Sequence, residues 1–461
     1  MTSTMFSVSL KPSIIETIPL LTKPKPKVWI EAYGCSASMA DSEMIGGILK
    51  EAGYEIATKK SESALNLIVT CSVKDTTEHK MMSRIRTMVK SGKPLVVAGC
   101  LPKADKSKIE SASSSASLIG PNSIDKAPDA VRSALSGDRL VALKDSQLDK
   151  INIPRVRLNP VISIVEIANG CMSECTFCQT KIAKGRLRSY RIGDIVREIK
   201  SDIKSGCKEV WLSSTDNGCY GRDIDTNLVD LLQACCSIEG NFKIRVGMMN
   251  PMYLPAILDR MVSLFCENDK LFKFLHIPVQ SGSDRILRKM KRGHTSKTFI
   301  DTVQAFRDKI PEMTISTDII VGFPSETEDD FKQTINLLER SQPDFVNISR
   351  YAARPKTVAS GWKEMKVSSQ VSKERSEYLH DLTRRIAKKR NSIWREWQGE
   401  IVIDETGKVM QGRNYAYKPV VISSSTSSST TNAADRQILL GDIVNVKIFD
   451  FSNFSLKANV I

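Results

Sequence analysis

From Val161 onward, apolar runs of β type alternate with helical patterns about six times. Such alternation forces the strands to pair in parallel, because each helix spans the crossover between neighbouring strands. The spacing predicts strands over Ile162 to Ile167, Glu209 to Ser213, Lys243 to Gly247, Phe272 to Pro278, Thr314 to Gly322 and Phe345 to Arg350. Helices are expected between them, for example over Ile192 to Lys204, Leu228 to Cys235, Pro255 to Phe265 and Lys297 to Lys309. Acidic Glu326, Glu328, Asp329 and Asp330 open the helix after the fifth strand, the end that favours negative charge. Six units fall short of the eight that close a TIM barrel. The polar and glycine-rich groups sit just past strand ends, at Cys171 to Cys178, Ser214 to Gly218, Met248 to Pro251, Gln280 to Gly282, Gly322 to Pro324 and Tyr351 to Arg354. In parallel architectures that edge is where ligands bind.

The first of these strands ends in Cys171-Met-Ser-Glu-Cys175-Thr-Phe-Cys178, a C-x3-C-x2-C spacing with no fourth cysteine or histidine close by to complete a zinc tetrahedron. Free thiols filling a core would follow the periodicity of an element, whereas these lie just past one. Three thiolates on one short loop suit a cubane iron-sulfur cluster and leave its fourth iron open. This run resembles the signature of the radical S-adenosylmethionine (SAM) enzymes. The resemblance implies that the methionyl group of SAM chelates the open iron, and that an electron from the cluster cleaves the sulfonium to a 5′-deoxyadenosyl radical. It also implies an open, partial (β/α)6 barrel with a side gap for a large substrate.

Upstream, Val28 to Tyr33, Asn66 to Thr70 and Pro94 to Ala98 read as strands, with helices over Ser42 to Ala52 and Asp75 to Lys90. A second parallel, doubly wound sheet follows. Cys35, Cys71 and Cys100 come directly after the three strands, so all should emerge at the carboxyl edge. Taken singly, each is as well explained as a small buried hydrophobe. Gly34-Cys35 with Asp41-Ser42-Glu43, Thr70-Cys71-Ser-Val, and Gly99-Cys100 look like the N-terminal domain of the methylthiotransferases, whose three cysteines hold a second 4Fe-4S cluster. Ser38 and Val69 stand where that family often has Asn, which touches hydrogen bonding around the cluster and leaves the sulfur ligands intact. Cys207, Cys219, Cys235, Cys236 and Cys266 show no ligand spacing, and no two of the four histidines are paired at i, i+4.

The chain of 461 residues is 41% hydrophobic and 26% charged, as for an ordinary globular protein. No run approaches the roughly 18 apolar residues of a membrane span, and Pro12, Pro19, Pro24 and Pro26 interrupt the N-terminus, so a cytoplasmic protein without export signal is expected. Eleven cysteines in that setting point to metal or catalytic use rather than to disulfides. Net charge is +15, and basic residues gather over Lys181 to Arg191, over Arg288 to Arg292 and over Arg384 to Arg395, which favours a nucleic-acid partner.

Gln370 to Glu396 read as a basic helix carrying Trp394, with Trp397 just beyond. Short β runs follow over Ile401 to Asp404, Ala416 to Ser423, Ile443 to Phe451 and Leu456 to Ile461, the pattern of a small β-barrel. Gly412-Arg413, Tyr415 and Tyr417 to Val420 resemble the TRAM domain of RNA-modifying enzymes. The Ser/Thr run Ser423 to Thr431 is expected as a loop.

The expected division is therefore a flexible tail over 1–26, an α/β cluster domain over 27–140, a linker near 140–156, a radical SAM core over 157–390 and a TRAM-like barrel over 391–461. That order of three parts is similar to the methylthiotransferases. The resemblance implies two 4Fe-4S clusters, on Cys171, Cys175 and Cys178 and on Cys35, Cys71 and Cys100, with SAM as radical source and methyl donor. It places Thr215 and Asp216 against the methionyl part of SAM, and Gln280 and Ser281 among further polar contacts. Lys184, Arg186, Arg188, Arg413 and Tyr415 are the candidate RNA contacts. Gly185-Arg186-Leu187-Arg188-Ser189-Tyr190, Asp216-Asn217-Gly218 with Tyr220 to Asp223, and Gly247 to Pro251 are similar to the archaeal and eukaryotic branch, which methylthiolates C2 of N6-threonylcarbamoyladenosine at position 37 of tRNA, in the anticodon stem-loop. The partners implied are tRNA and an electron donor such as a flavodoxin or ferredoxin, with the enzyme a monomer. Action on isopentenyladenosine or on a ribosomal protein, and a non-enzymatic iron-sulfur RNA-binding protein, are the competing readings.

Overall fold

The computed structural model describes residues 26–72, 75–146, 148–407, 409–423 and 437–461. The expected tail, up to residue 25, and most of the Ser/Thr run lie outside the described residues.

The first unit is a parallel sheet of six strands in the spatial order Glu55–Ile56, Lys27–Ala32, Leu65–Thr70, Leu95–Gly99, Ser117–Ile119 and Val141–Ala142. The strands that precede Cys35, Cys71 and Cys100 are immediate neighbours in that order. Leu65–Thr70 is buried along its whole length, as expected of a central parallel strand covered on both faces. The helix after the first strand begins at Ser36 with Cys35 at its N-cap, earlier than the apolar pattern from Ser42 suggested.

In the second unit the six expected strands form an arc in chain order. Ile162–Glu166, Glu209–Ser213 and Lys243–Val246 make one parallel sheet, and Phe274–His276, Thr314–Val321 and Phe345–Arg350 another. The two meet where Phe272 N donates to Ile244 O at 3.0 Å and Met249 N donates to His276 O at 2.9 Å. One apolar core runs beneath both, from Val165 through Phe265 and Phe306 to Ile386 on the following helix, Ser369–Ser392.

The third unit is a closed barrel of five strands, Gln398–Glu405, Met410–Arg413, Pro419–Ile422, Leu456–Val460 and Ile443–Phe451. Met410–Arg413 was not expected from the pattern, because polar Gln411 and Gly412 hide it. Trp394, 1% exposed, plugs the barrel against Trp397 and Tyr415. Lys418 seats the barrel on the central unit, its buried ammonium pairing with Asp344 at 2.8 Å and with Asn391 Oδ1 at 2.7 Å. Tyr417 packs among Phe272, Phe274 and Trp211.

The stretch expected as a linker is packed into the structure instead. It crosses the helix Ser36–Glu51 at Gly47, where a Cβ would lie 1.8 Å from Pro154 O. Val156 N donates to Glu43 O at 2.9 Å, and Lys150 is buried in ion pairs with Asp41 and Glu166. Few apolar residues were needed because charge pairing and backbone hydrogen bonds anchor the segment. Val161, Ile162 and Ile164 then join the core of the first unit, so the two units share a strand's outer face. Among the described residues no helix is long and apolar enough to cross a membrane.

Candidate active site

Three neighbouring parallel strands release Cys35, Cys71 and Cys100 at one sheet edge. Cys35 is exposed there, and Cys71 and Cys100 are buried. Gly34 makes the approach possible: at φ +118°, a Cβ on it would meet Cys71 Cβ at 2.2 Å and its Sγ at 2.9 Å. A hydrogen bond with Cys71 pulls the Cys35 thiol down to about 6, whereas burial pushes Cys100 up to about 12. Three soft thiol donors at one sheet edge suit an iron-sulfur group.

The second triad occupies the loop after Ile162–Glu166. Ser173 N donates to Cys171 Sγ at 3.3 Å, Cys178 N donates to Cys175 O at 3.1 Å, and Arg292 Nη1 donates to Cys175 Sγ at 3.3 Å. Backbone and guanidinium donors directed at sulfur favour thiolate over thiol and suit a metal-bound sulfur equally. A hydrogen bond with Cys219 lowers Cys171 to about 7, and burial raises Cys178 to about 11. Cys171, Asp216 and Cys219 bring their ligand atoms within 4.8 Å of one another. Cys219 shows no ligand spacing in the sequence and Arg292 reads as one of a surface-type basic cluster, so neither neighbour of the triad is visible from pattern. A turn of chain at Asn217–Cys219 and a side chain arriving from beyond Met290 carry no local pattern that would reveal them.

Asp216 is 2% exposed; its Oδ1 accepts from Gly218 N and Asn250 N, each at 3.0 Å, and its Oδ2 faces Cys171 Sγ at 4.0 Å. Thr215 is half-buried beside it, and Gln280 is half-buried at the same edge of the barrel with φ 76°. Ser281 departs from expectation: it is fully buried, its hydroxyl lying 3.5 Å from Thr334 Oγ1 and accepting from Ser283 N at 3.2 Å, so it shapes a turn against the helix Glu328–Ser341.

The expected RNA contacts divide. Arg186 is exposed, and Arg188 is half-buried, pairing with Asp149 and donating to Leu148 O. Lys184 is 4% exposed and committed to Asp41 and Glu166, which puts its ammonium out of reach of phosphate. Arg413 turns inward to Asp404 at 2.8 Å and over the Tyr417 ring, and Tyr415 is half-buried between Trp394 and Trp397 while its carbonyl accepts from Lys273 N. Arg413 is engaged within the barrel and the Tyr415 backbone joins the barrel to the central unit, and aromatic and basic pattern alone does not tell which face of a barrel is outward. In the third basic cluster Arg384, Arg385, Lys388 and Lys389 are exposed on their helix, whereas Arg390 pairs with Asp344.

The two triads are adjacent through one short helix. Thr180–Lys184, directly after Cys178, packs on Cys100–Ala104, with Cys100, Ala104 and Ala183 in one buried cluster. Beside Cys178 a cavity is lined by Ser72, Phe177, Gln179, Ile320, Tyr351 and Arg354, drawn from both units. Ser72 Oγ, Gln179 Oε1 and Tyr351 OH are buried there without a hydrogen-bond partner among the described residues. Arg354 reaches across to Glu78 of the first unit and closes one side.

The model of the Radical SAM superfamily matches residues 165–338, and that of the Uncharacterized protein family UPF0004 matches residues 27–120. The chain is similar to the probable threonylcarbamoyladenosine tRNA methylthiotransferase of Pyrococcus horikoshii, 40% identical over 427 residues, covering 91% of this chain and 99% of that one. The threonylcarbamoyladenosine tRNA methylthiotransferase of Homo sapiens is 32% identical, with 94% of this chain and 74% of that one covered. Among solved structures, the radical SAM methyltransferase TsrM of Kitasatospora setae superposes with a TM-score of 0.52 at 12% identity, over 73% of this chain and 77% of that one, a likeness of fold. At this identity and coverage, the chain belongs to the threonylcarbamoyladenosine tRNA methylthiotransferase family.

Proposed function

We propose that this protein methylthiolates C2 of N6-threonylcarbamoyladenosine at position 37 of tRNA, holding one 4Fe-4S cluster on Cys171, Cys175 and Cys178 and a second on Cys35, Cys71 and Cys100. The observation that carries the reading is the meeting of two thiol triads, from two units, across the short helix Thr180–Lys184, with a cavity beside Cys178 lined from both units. When bound, the clusters supply one-electron cleavage of SAM and a carried sulfur, chemistry beyond the acid and base groups of side chains. A second SAM molecule is the methyl source.

The residues of the chain bind and orient. The buried Asp216 carboxylate beside Cys171 suits the methionyl ammonium of SAM, with Thr215 and Gln280 flanking it at the same edge. Ser72, Gln179 and Tyr351 line the cavity with unpartnered oxygens, and rotation of these side chains toward a bound base would give its ring nitrogens hydroxyl donors and its ureido N–H an acceptor. Leaving such groups unpaired is costly, so a nucleoside that satisfies them is selected over one that does not. Arg186 and the exposed Arg384, Arg385, Lys388 and Lys389 would meet tRNA phosphates. Phe449 and Phe454, 41% and 68% exposed on the barrel, offer stacking surfaces for unpaired bases. A low-potential flavodoxin or ferredoxin would deliver electrons to the monomer in the cytoplasm.

The test is mass spectrometry of tRNA nucleosides after anaerobic incubation of the reconstituted protein with SAM and dithionite, with tRNAs bearing threonylcarbamoyladenosine and isopentenyladenosine in competition. Preferential methylthiolation of the first is expected. Preference for the second overturns the substrate and leaves the reaction class standing, and absence of SAM cleavage overturns the class.

A further inference from the structure

Between the two thiol triads lies a buried tetrad of charges. Lys184 Nζ is 3.3 Å from both Asp41 Oδ2 and Glu166 Oε1, and Lys150 Nζ pairs with Asp41 and lies 3.3 Å from Glu166 Oε2. None of the four residues is more than 4% exposed. They come from four places: Asp41 from the helix capped by Cys35, Lys150 from the crossing segment, Glu166 from the end of the first central strand, and Lys184 from the end of the helix that follows Cys178.

The tetrad is neutral in sum and lopsided in position. Ala183 packs with Cys100, and the Lys184 charge acts on both Cys35 and Cys100; at Cys100 Lys150 adds to it and Asp41 opposes it, whereas the Glu166 charge is not among the main influences on either thiol. Buried charge of this kind is poorly screened. A cluster on three thiolates becomes more negative by one charge when it takes one electron, so a nearby fixed cation stabilises its reduced form over its oxidised form.

We propose that Lys184 is a positioning residue lent by the central unit to the N-terminal triad, where its buried charge raises the one-electron potential of the cluster held by Cys35, Cys71 and Cys100. The inference rests on the reading of those cysteines as cluster ligands. It makes the electrostatics of the N-terminal site dependent on docking of the central unit, since the cation arrives only with the helix Thr180–Lys184.

The experiment uses the full chain with Cys171, Cys175 and Cys178 replaced by Ala, so that one cluster reports. Its potential is read by electron paramagnetic resonance during dithionite titration. Lys184→Met is expected to lower the reduced-to-oxidised ratio at a fixed poise at least tenfold, about 59 mV for one electron. Lys184→Arg should stay with the parent. The charge-balanced Lys184→Met/Glu166→Gln, which leaves no unpaired carboxylate in place of the lost cation, should still shift downward, and it decides the matter where Lys184→Met alone does not load iron. A parental potential in an iron-loaded Lys184→Met or in the balanced double variant overturns the proposal, as does an equal shift in Lys184→Arg. Absence of iron from the parent itself defeats the ligand assignment instead, a different and separately visible result.

Discussion

The two thiol triads have the same composition and opposite construction. Cys171, Cys175 and Cys178 fall within one loop, so short-range chain geometry alone keeps the three thiols near one another. Cys35, Cys71 and Cys100 are brought together only by pairing of three adjacent strands, and a register slip would separate them. Yet each triad has one thiol lowered and one raised, Cys35 with Cys100 and Cys171 with Cys178. A local loop and a sheet edge therefore arrive at similar electrostatics, the loop by donors directed at sulfur and the sheet by close packing of strand ends.

The largest expected effect separates the triads by role. Replacing Cys171, Cys175 and Cys178 with Ala should abolish 5′-deoxyadenosine formation, whereas replacing Cys35, Cys71 and Cys100 should leave it and abolish methylthiolation. Chromatography of both products from each triple variant checks this, and loss of SAM cleavage in the N-terminal variant would erase the division of labour.

A narrower break concerns the sheet edge alone. Gly34→Ala places a Cβ against Cys71 in a left-handed backbone, so it should cost about 1–3 kcal/mol and lower iron at the N-terminal triad while iron at the central loop is retained. Iron analysis of Gly34→Ala, with and without the central cysteines, reads the two sites separately.

On the loop side, His294 Nδ1 donates to the Arg292 carbonyl at 3.2 Å, and Arg292 in turn holds Cys175. Burial, followed by the Arg292 charge, depresses the imidazole to about 4. An unfolded histidine titrates near 6.5, so the unfolded chain binds the extra proton first as pH falls. The stabilising contribution is complete above about 6.5 and is lost on descending towards 4, on the order of 3 kcal/mol. Denaturant unfolding of the parent should weaken across that window more than that of His294→Asn, and parallel pH profiles would remove histidine from the account.

The smallest effect is a rate. In iron-free protein, iodoacetamide should label Cys35 faster than any other cluster cysteine, with the rate rising through about pH 6, because Cys35 is exposed and Cys171, though also lowered, is buried. Peptide mapping of the labelled protein distinguishes this from equal labelling of the two.

The six central strands, the three strands before Cys35, Cys71 and Cys100 and the place of each thiol just past a strand are legible from apolar runs, whereas short strands such as Glu55–Ile56, Ser117–Ile119, Val141–Ala142 and Met410–Arg413 carry too little pattern to read. What else was illegible arose from long-range packing. Lys150 reads in sequence as a polar linker residue and becomes buried because Asp41 and Glu166, remote in the chain, face it. Lys184 reads as one more base in a cationic run, yet the short helix carrying it turns it inward. Arg413 and Tyr415 read as RNA contacts through the TRAM resemblance, yet the direction in which a barrel docks on its neighbour is set by other side chains, such as Lys418 and Asp344.

The crossing segment at Gly47 has a consequence for how such a protein can be divided or inherited. A segment that is pinned beneath one unit by its backbone and whose next strand lends its outer face to that unit's core is no hinge. Cutting the chain there would strip apolar cover from the first unit and take the Lys150 cation away from Asp41 in the first unit and Glu166 in the second. The halves are thus expected to be poor independent folders and poor candidates for shuffling between proteins, and an insertion tolerated in a true tether would here be felt at both thiol sites.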